Sequence, residues 1–145
     1  GPDEGDLQVH AKRLGLSNRV HFLGYLPDVK FIYQEFDLYI QPSVFEGMPM
    51  SVLEAMASGC PVIATDVGGM SDLITDDREG WLIKNRNPAK IAKSIQYVLN
   101  NPEEASRKVE IAKNRLIRCF SIDVAINAWN TFFREIDGYD CLKSN

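Results

Sequence analysis

The sequence predicts an α/β domain with a mainly parallel sheet flanked by helices. Two observations carry this expectation. Short runs rich in strand formers, DLYIQ at 37–41, PVIAT at 61–65 and GWLI at 80–83, alternate with segments of helical apolar spacing. PVIAT is also apolar almost throughout, the pattern of a strand covered on both faces, as in parallel sheets.

Each element has its own signal. Residues 6–14 place Leu7, Val9 and Leu14 at helical spacing and stop at Gly15. RVHFL at 19–23 reads as a strand closed by Gly24. Val29, Ile32, Tyr33 and Phe36 mark a helix over 28–36, and DLYIQ is a second strand, broken by Pro42. The stretch PSVFEGMPMSVLEAMASG at 42–59 reads as a loop that opens a short helix. Pro49 suits its first turn, where the missing N–H would be unpaired anyway, and Gly59 suits its stop. PVIAT follows, then a tight loop at Gly68-Gly69, one helical turn at 71–74 and GWLI as a fourth strand. Residues 88–99 form an amphipathic helix with Ile91, Ile95, Val98 and Leu99 inward. Pro102 begins a helix to about Cys119, with Glu103 and Glu104 complementing its dipole. Ser121 caps a last helix over 122–136, whose Trp129, Phe132 and Phe133 read as core packing. Arg107, Lys108, Lys113, Arg115 and Arg118 read as a solvated face, and DDRE at 76–79 as a surface turn. The expected organisation is one domain over 1–137 and a loose tail at 138–145.

Composition narrows the function classes. A chain of 145 residues can bury a real core, and its net charge of −4 argues against a nucleic-acid partner, whose site would be basic. No apolar run approaches the roughly 20 residues that span a bilayer. The polar, acidic opening GPDEGDLQVH lacks the pattern of a secretory signal. Cys60, Cys119 and Cys141 are widely spaced with no metal-ligand pattern, which fits reduced thiols and a cytoplasmic location. Cys60 reads as a small buried hydrophobe, and His10 and His21 as isolated.

The chemistry concentrates at 42–59. Val52, Leu53, Ala55, Met56 and Ala57 make the helix nearly all apolar, which implies deep burial and makes Glu54 costly unless something pairs with it. Glu46 precedes it by eight positions, a helical span of ~12 Å. Backbone N–H groups near Met50 and Ser51 would be unpaired at the helix entrance and would form an anion site. An anion between two carboxylates, each able to accept a pair of hydroxyl hydrogen bonds, suits a diphosphate flanked by two sugars. A second reading stays open at this level: Glu46 as a solvated loop residue and Glu54 as a core carboxylate tied to backbone.

The stretch resembles the C-terminal domain of the family 4 retaining glycosyltransferases, which have the GT-B fold. FLGYL at 22–26, DLYIQPS at 37–43, FEGMP, EAMASGCPVIAT, DVGG at 66–69 and GWLI carry the resemblance, with Glu46 and Glu54 in its glutamate–seven residues–glutamate motif. It covers 1–99 well and the last two helices more loosely. It implies a Rossmann-like sheet, the incomplete C-terminal half of a GT-B fold, and transfer of a sugar from a nucleoside diphosphate sugar with retention and without a bound metal or other cofactor. Glu46 would contact the transferred sugar and act in catalysis, and Glu54 would bind the ribose hydroxyls. Backbone at Gly47, Met48, Pro49, Met50 and Ser51 would meet sugar and diphosphate, and Gly24, Tyr25 and Leu26 would edge the nucleobase.

The resemblance also implies partners. The family's Arg/Lys pair that neutralises the diphosphate has no counterpart in this sequence, nor does its N-terminal acceptor domain, so this chain alone is expected to be inactive. In the family's sheet order the strand at 19–23 would be separated from that at 37–41 by a two-strand gap. Such exposed sheet edges would admit an oligomer. A peripheral-membrane or lipid-linked acceptor is a further implied partner. The rival readings are a non-catalytic nucleotide-sugar binding or assembly module, and a different GT-B chemistry such as an epimerase or phosphorylase.

Overall fold

A computed structural model describes residues 2–75, 77–84 and 86–137. In chain order the elements are α1 (Glu4–Arg13), α2 (Lys30–Tyr33), β1 (Tyr39–Gln41), α3 (Met50–Ser58), β2 (Val62–Thr65), α4 (Met70–Leu73), β3 (Trp81–Ile83), α5 (Pro88–Asn100), α6 (Pro102–Phe120) and α7 (Ile122–Asp137). The strands form one parallel sheet in the order β1-β2-β3, with Tyr39 opposite Val62 and Ile63 opposite Trp81.

The alternation of side chains along β2 sets the layers. Val62 and Ala64 pack with Val52, Ala55 and Met56 of α3 and with Ala112 of α6. Ile63 points the other way, into a cluster with Ile83 and with Val98 of α5. All four β2 residues are buried, as a central parallel strand requires. The sheet is therefore covered on both faces, and its carboxyl ends open onto the loops that follow β1, β2 and β3.

α3 ends as its sequence predicts. Gly59 takes a left-handed φ of 84°, and the N–H groups of Gly59 and Cys60 donate back to Met56 and Ala55. Pro49 sits one position outside the helix, as its extended N-terminal cap. Ser121 Oγ accepts from the Val124 N–H at the start of α7, the predicted cap. Cys60 is buried, and burial pushes its thiol up to about 11.

Several expectations are corrected. RVHFL is irregular chain, because a strand exists through its ladder and nothing among the described residues pairs with it. Val20, Phe22 and Leu23 are consequently exposed. The helix over 28–36 contracts to the four residues of α2, of which Tyr33 is buried and Phe31 exposed. Glu79, expected in a surface turn, is instead 5% exposed and accepts from the Thr75 N–H at 2.8 Å and the Thr75 hydroxyl. The basic face of α6 is partly structural. Lys108 donates to the carbonyls of Asp77 and Gly80 and lies 4.9 Å from the Trp81 ring centre, and Arg115 donates to the Asp72 carbonyl. The aromatics of α7 stack on one another, with Trp129 and Phe133 centroids 5.7 Å apart, while Trp129 and Phe132 stay exposed rather than entering the core. The expected tail at 138–145, with Cys141, lies outside the described residues.

Candidate functional site

The 42–49 loop joins the end of β1 to the start of α3, so both of its ends are fixed by buried elements. A second loop clamps it. The Gly69 N–H donates to the Gly47 carbonyl at 3.0 Å. Gly68 has a left-handed φ of 55°, and a Cβ there would collide with the Glu46 carbonyl oxygen. The Gly68-Gly69 pair is thus a close-approach seam, which a tight loop predicted from sequence only half describes.

Glu46 is half-buried on this clamped loop. Its Oε1 accepts from Ser43 Oγ at 2.6 Å and from Gln41 Nε2 at 2.7 Å. These hydrogen bonds, Ser43 first, hold its carboxyl below the usual glutamate range. Glu54 is also half-buried, at the edge of α3 rather than deep in the core. Its Oε2 accepts from the Tyr33 hydroxyl at 3.2 Å. A side-chain partner therefore meets the cost that the sequence attached to this carboxylate. Val52, Ala55 and Met56 are the residues of the helix that enter the core, whereas Ala57 is exposed.

Between the glutamates lies a run of free donors. α3 begins with N–H bonds from Val52 and Leu53 to the Pro49 carbonyl, and no side chain caps it. Among the described residues the N–H groups of Gly47, Met48, Met50 and Ser51 have no hydrogen-bond partner. Pro49, which has no N–H, interrupts the run. The arrangement can receive an anion at the helix entrance with a carboxylate on either side. Around the mouth, Phe45 (85% exposed), Val44, Met48 and Met50 present apolar surface.

The Gly69–Gly47 bond joins the loops after β1 and β2. Asp66 follows β2 and donates its N–H to the carbonyl of Ile83, the last residue of β3. Gly24, Tyr25 and Leu26 stand apart: no hydrogen bond ties them to the Glu46 loop among the described residues. Gly24 and Tyr25 instead line an open groove of about 660 Å³ with Leu7 of α1. Sequence reasoning missed Tyr33, Tyr39, Gln41 and Ser43 as site residues. The polar tips of Tyr39 and Gln41 in a strand and of Tyr33 in a helix were the available signal, and Ser43 on the loop had none. Among the described residues no three His, Cys, Asp or Glu side chains are grouped to hold a metal ion.

Comparison with known proteins gives these features a family. The model of the glycosyl transferases group 1 family matches residues 1–115. An uncharacterized glycosyltransferase of Haemophilus influenzae is 32% identical over 131 residues, covering 89% of this chain and 36% of that protein. The lipopolysaccharide core biosynthesis mannosyltransferase LpcC of Rhizobium leguminosarum bv. viciae is 31% identical over 132 residues, covering 91% and 38%. Anabaena Alr3699/HepE, solved in complex with UDP, has a TM-score of 0.82 at 25% identity over 88% of this chain and 36% of its own. The chain thus spans less than two-fifths of the length of each.

Proposed function

This chain belongs to the group 1 glycosyl transferases, and from that premise we propose that it is the donor-binding part of a retaining, family 4 glycosyltransferase that moves a sugar from a nucleoside diphosphate sugar to an acceptor. Its sheet, covered by helices on both faces, has the form of GT-B C-terminal domains. The observation that carries the proposal is the run of free N–H groups at Gly47, Met48, Met50 and Ser51, flanked by Glu46 and Glu54.

In this reading the diphosphate lies at the entrance of α3, where free amides and the helix dipole stabilise the charge that grows as the sugar leaves. Glu54 takes the ribose hydroxyls and Glu46 the hydroxyls of the transferred sugar. The attack comes on the face the diphosphate leaves, which retains the configuration, and the proposed chemistry uses no metal. Gly24, Tyr25 and Leu26 edge the nucleobase, and the groove beside them has room for one. That the Anabaena relative was solved in complex with UDP supports a nucleotide ligand. The acceptor, lipid-linked or otherwise, is held by a domain beyond this chain, and the exposed apolar face of α7 is the surface offered to that domain. The protein would act in the cytoplasm or at its membrane surface; no helix among the described residues is long and apolar enough to cross a membrane.

Calorimetry on the full protein tests the roles. Glu54→Ala is expected to weaken UDP or GDP about tenfold or more, the loss of hydrogen bonds to a charged acceptor. Glu46→Ala should leave the nucleoside diphosphate unaffected and remove the extra affinity and turnover that the sugar brings. Equal affinities of the wild type and both variants for every nucleotide sugar would overturn the assignment.

A further inference from the structure

We propose that Gln41 is a positioning residue for Glu46: its amide, anchored at its oxygen by Tyr39, engages one carboxylate oxygen and leaves the other to face the donor sugar. This rests on the donor-site reading above and concerns how that site is held.

Tyr39 and Gln41 are two residues apart on β1, so both project from the same face of the sheet. The Tyr39 hydroxyl donates to Gln41 Oε1 at 2.5 Å. The ionised Glu46 carboxylate can only accept, so the NH₂ end of the amide faces the loop and the amide oxygen is left to take the Tyr39 hydroxyl. Gln41 Nε2 donates to Glu46 Oε1 at 2.7 Å and to Ser43 Oγ at 2.8 Å. Ser43 Oγ in turn donates to the same Glu46 Oε1 at 2.6 Å. A reversed amide would set its carbonyl oxygen against a carboxylate oxygen. From β2, the Thr65 hydroxyl donates to the Ser43 carbonyl at 2.6 Å and pins the loop to the sheet. Glu46 Oε1 thus has two donors, whereas Oε2 has no partner among the described residues. One oxygen belongs to the scaffold and the other is open to a ligand. The lowered carboxyl pKa agrees with this arrangement, since both donors favour the ionised form.

The test uses the full protein in three forms: wild type, Gln41→Met, which keeps the length and removes the amide, and Tyr39→Phe, which keeps the ring on Tyr33 and removes the hydroxyl. The carboxyl ¹³C resonance of Glu46 is followed against pH, and calorimetry compares a nucleoside diphosphate with its nucleotide sugar. Both variants should raise the Glu46 titration midpoint, Gln41→Met the more. Gln41→Met should also lose about tenfold of the sugar-dependent affinity with the nucleoside diphosphate unchanged. Should Gln41→Met fail to fold, Tyr39→Phe carries the same two readouts. A midpoint that does not move overturns the proposal. So does a moved midpoint with sugar discrimination intact where Glu46→Ala abolishes it. A wild type that binds sugar and sugar-free nucleotide equally overturns the donor reading as well, so the two failures are told apart.

Discussion

Tyr33 comes from a helix of four residues, yet it partners the lone carboxylate of α3. Its ring sits edge-on to Tyr39 at 5.5 Å, and its hydroxyl donates to Glu54. Burial above all, then Tyr39 and Glu54, pushes its phenol from 10.0 to about 12. The folded state therefore holds this proton more tightly than the unfolded chain does. The stabilisation is complete below pH 10.0 and is lost as pH rises through about 12. Tyr33→Phe should remove this contribution to the alkaline loss. In urea unfolding followed across that window, the gap in stability between wild type and variant should narrow with rising pH. The sequence marked Tyr33 as an inward helix position, but the Glu54 partner is 21 residues away and left no local trace. Gly68 shows the same divide: its turn was legible, and its contact with the Glu46 backbone was not.

At the scale of elements, the site depends on β1 and α3 being held at a fixed spacing, and the helices behind them do this. α6 supports α3 through Ala112, and its Lys108 and Arg115 reach the carbonyls of Asp77 and Asp72 across the molecule. Arg115 also lies 3.9 Å from the buried Glu79. α5 covers the opposite face with Val98 and starts at Asn87, whose side chain accepts from the Ala89 and Lys90 N–H groups. Asn87→Ala should cost about 1 kcal/mol in chemical denaturation, the usual value of an N-terminal cap. Because α5 lies on the face away from α3, nucleotide affinity should not change. The end of α3 and the start of α7 were readable from Gly59 and Ser121, because capping is settled by a few neighbouring residues.

For the whole molecule, the free amides at the entrance of α3 are a store of unmade hydrogen bonds that a ligand can complete. A nucleoside diphosphate that binds the folded state alone should stabilise it by about 2.7 kcal/mol at a hundredfold excess over Kd. A thermal melt of the wild type should therefore shift upward with added nucleotide, and Glu54→Ala should need about ten times more nucleotide for an equal shift. The exposed Trp129, Phe132 and Ile136 of α7, together with Phe45 at the mouth of the site, are apolar surface of the kind that interfaces bury.

What the sequence determined by itself was whatever short-range pattern decides: the three strands of the sheet, the long helices, the burial of β2 and the placing of Glu46 and Glu54 around a helix entrance. Hydrophobic period and capping act over a few residues, so they can be read along a chain. The tertiary structure alone decided that RVHFL is not a strand, that Glu79 is buried, that the α7 aromatics face outward, and that Gln41 and Tyr33 hold the two glutamates. Each of these outcomes depends on a partner elsewhere in the fold, or on the lack of one among the described residues. A ladder, a buried carboxylate and a fixed amide are properties of pairs, and a chain read in order shows only one member at a time.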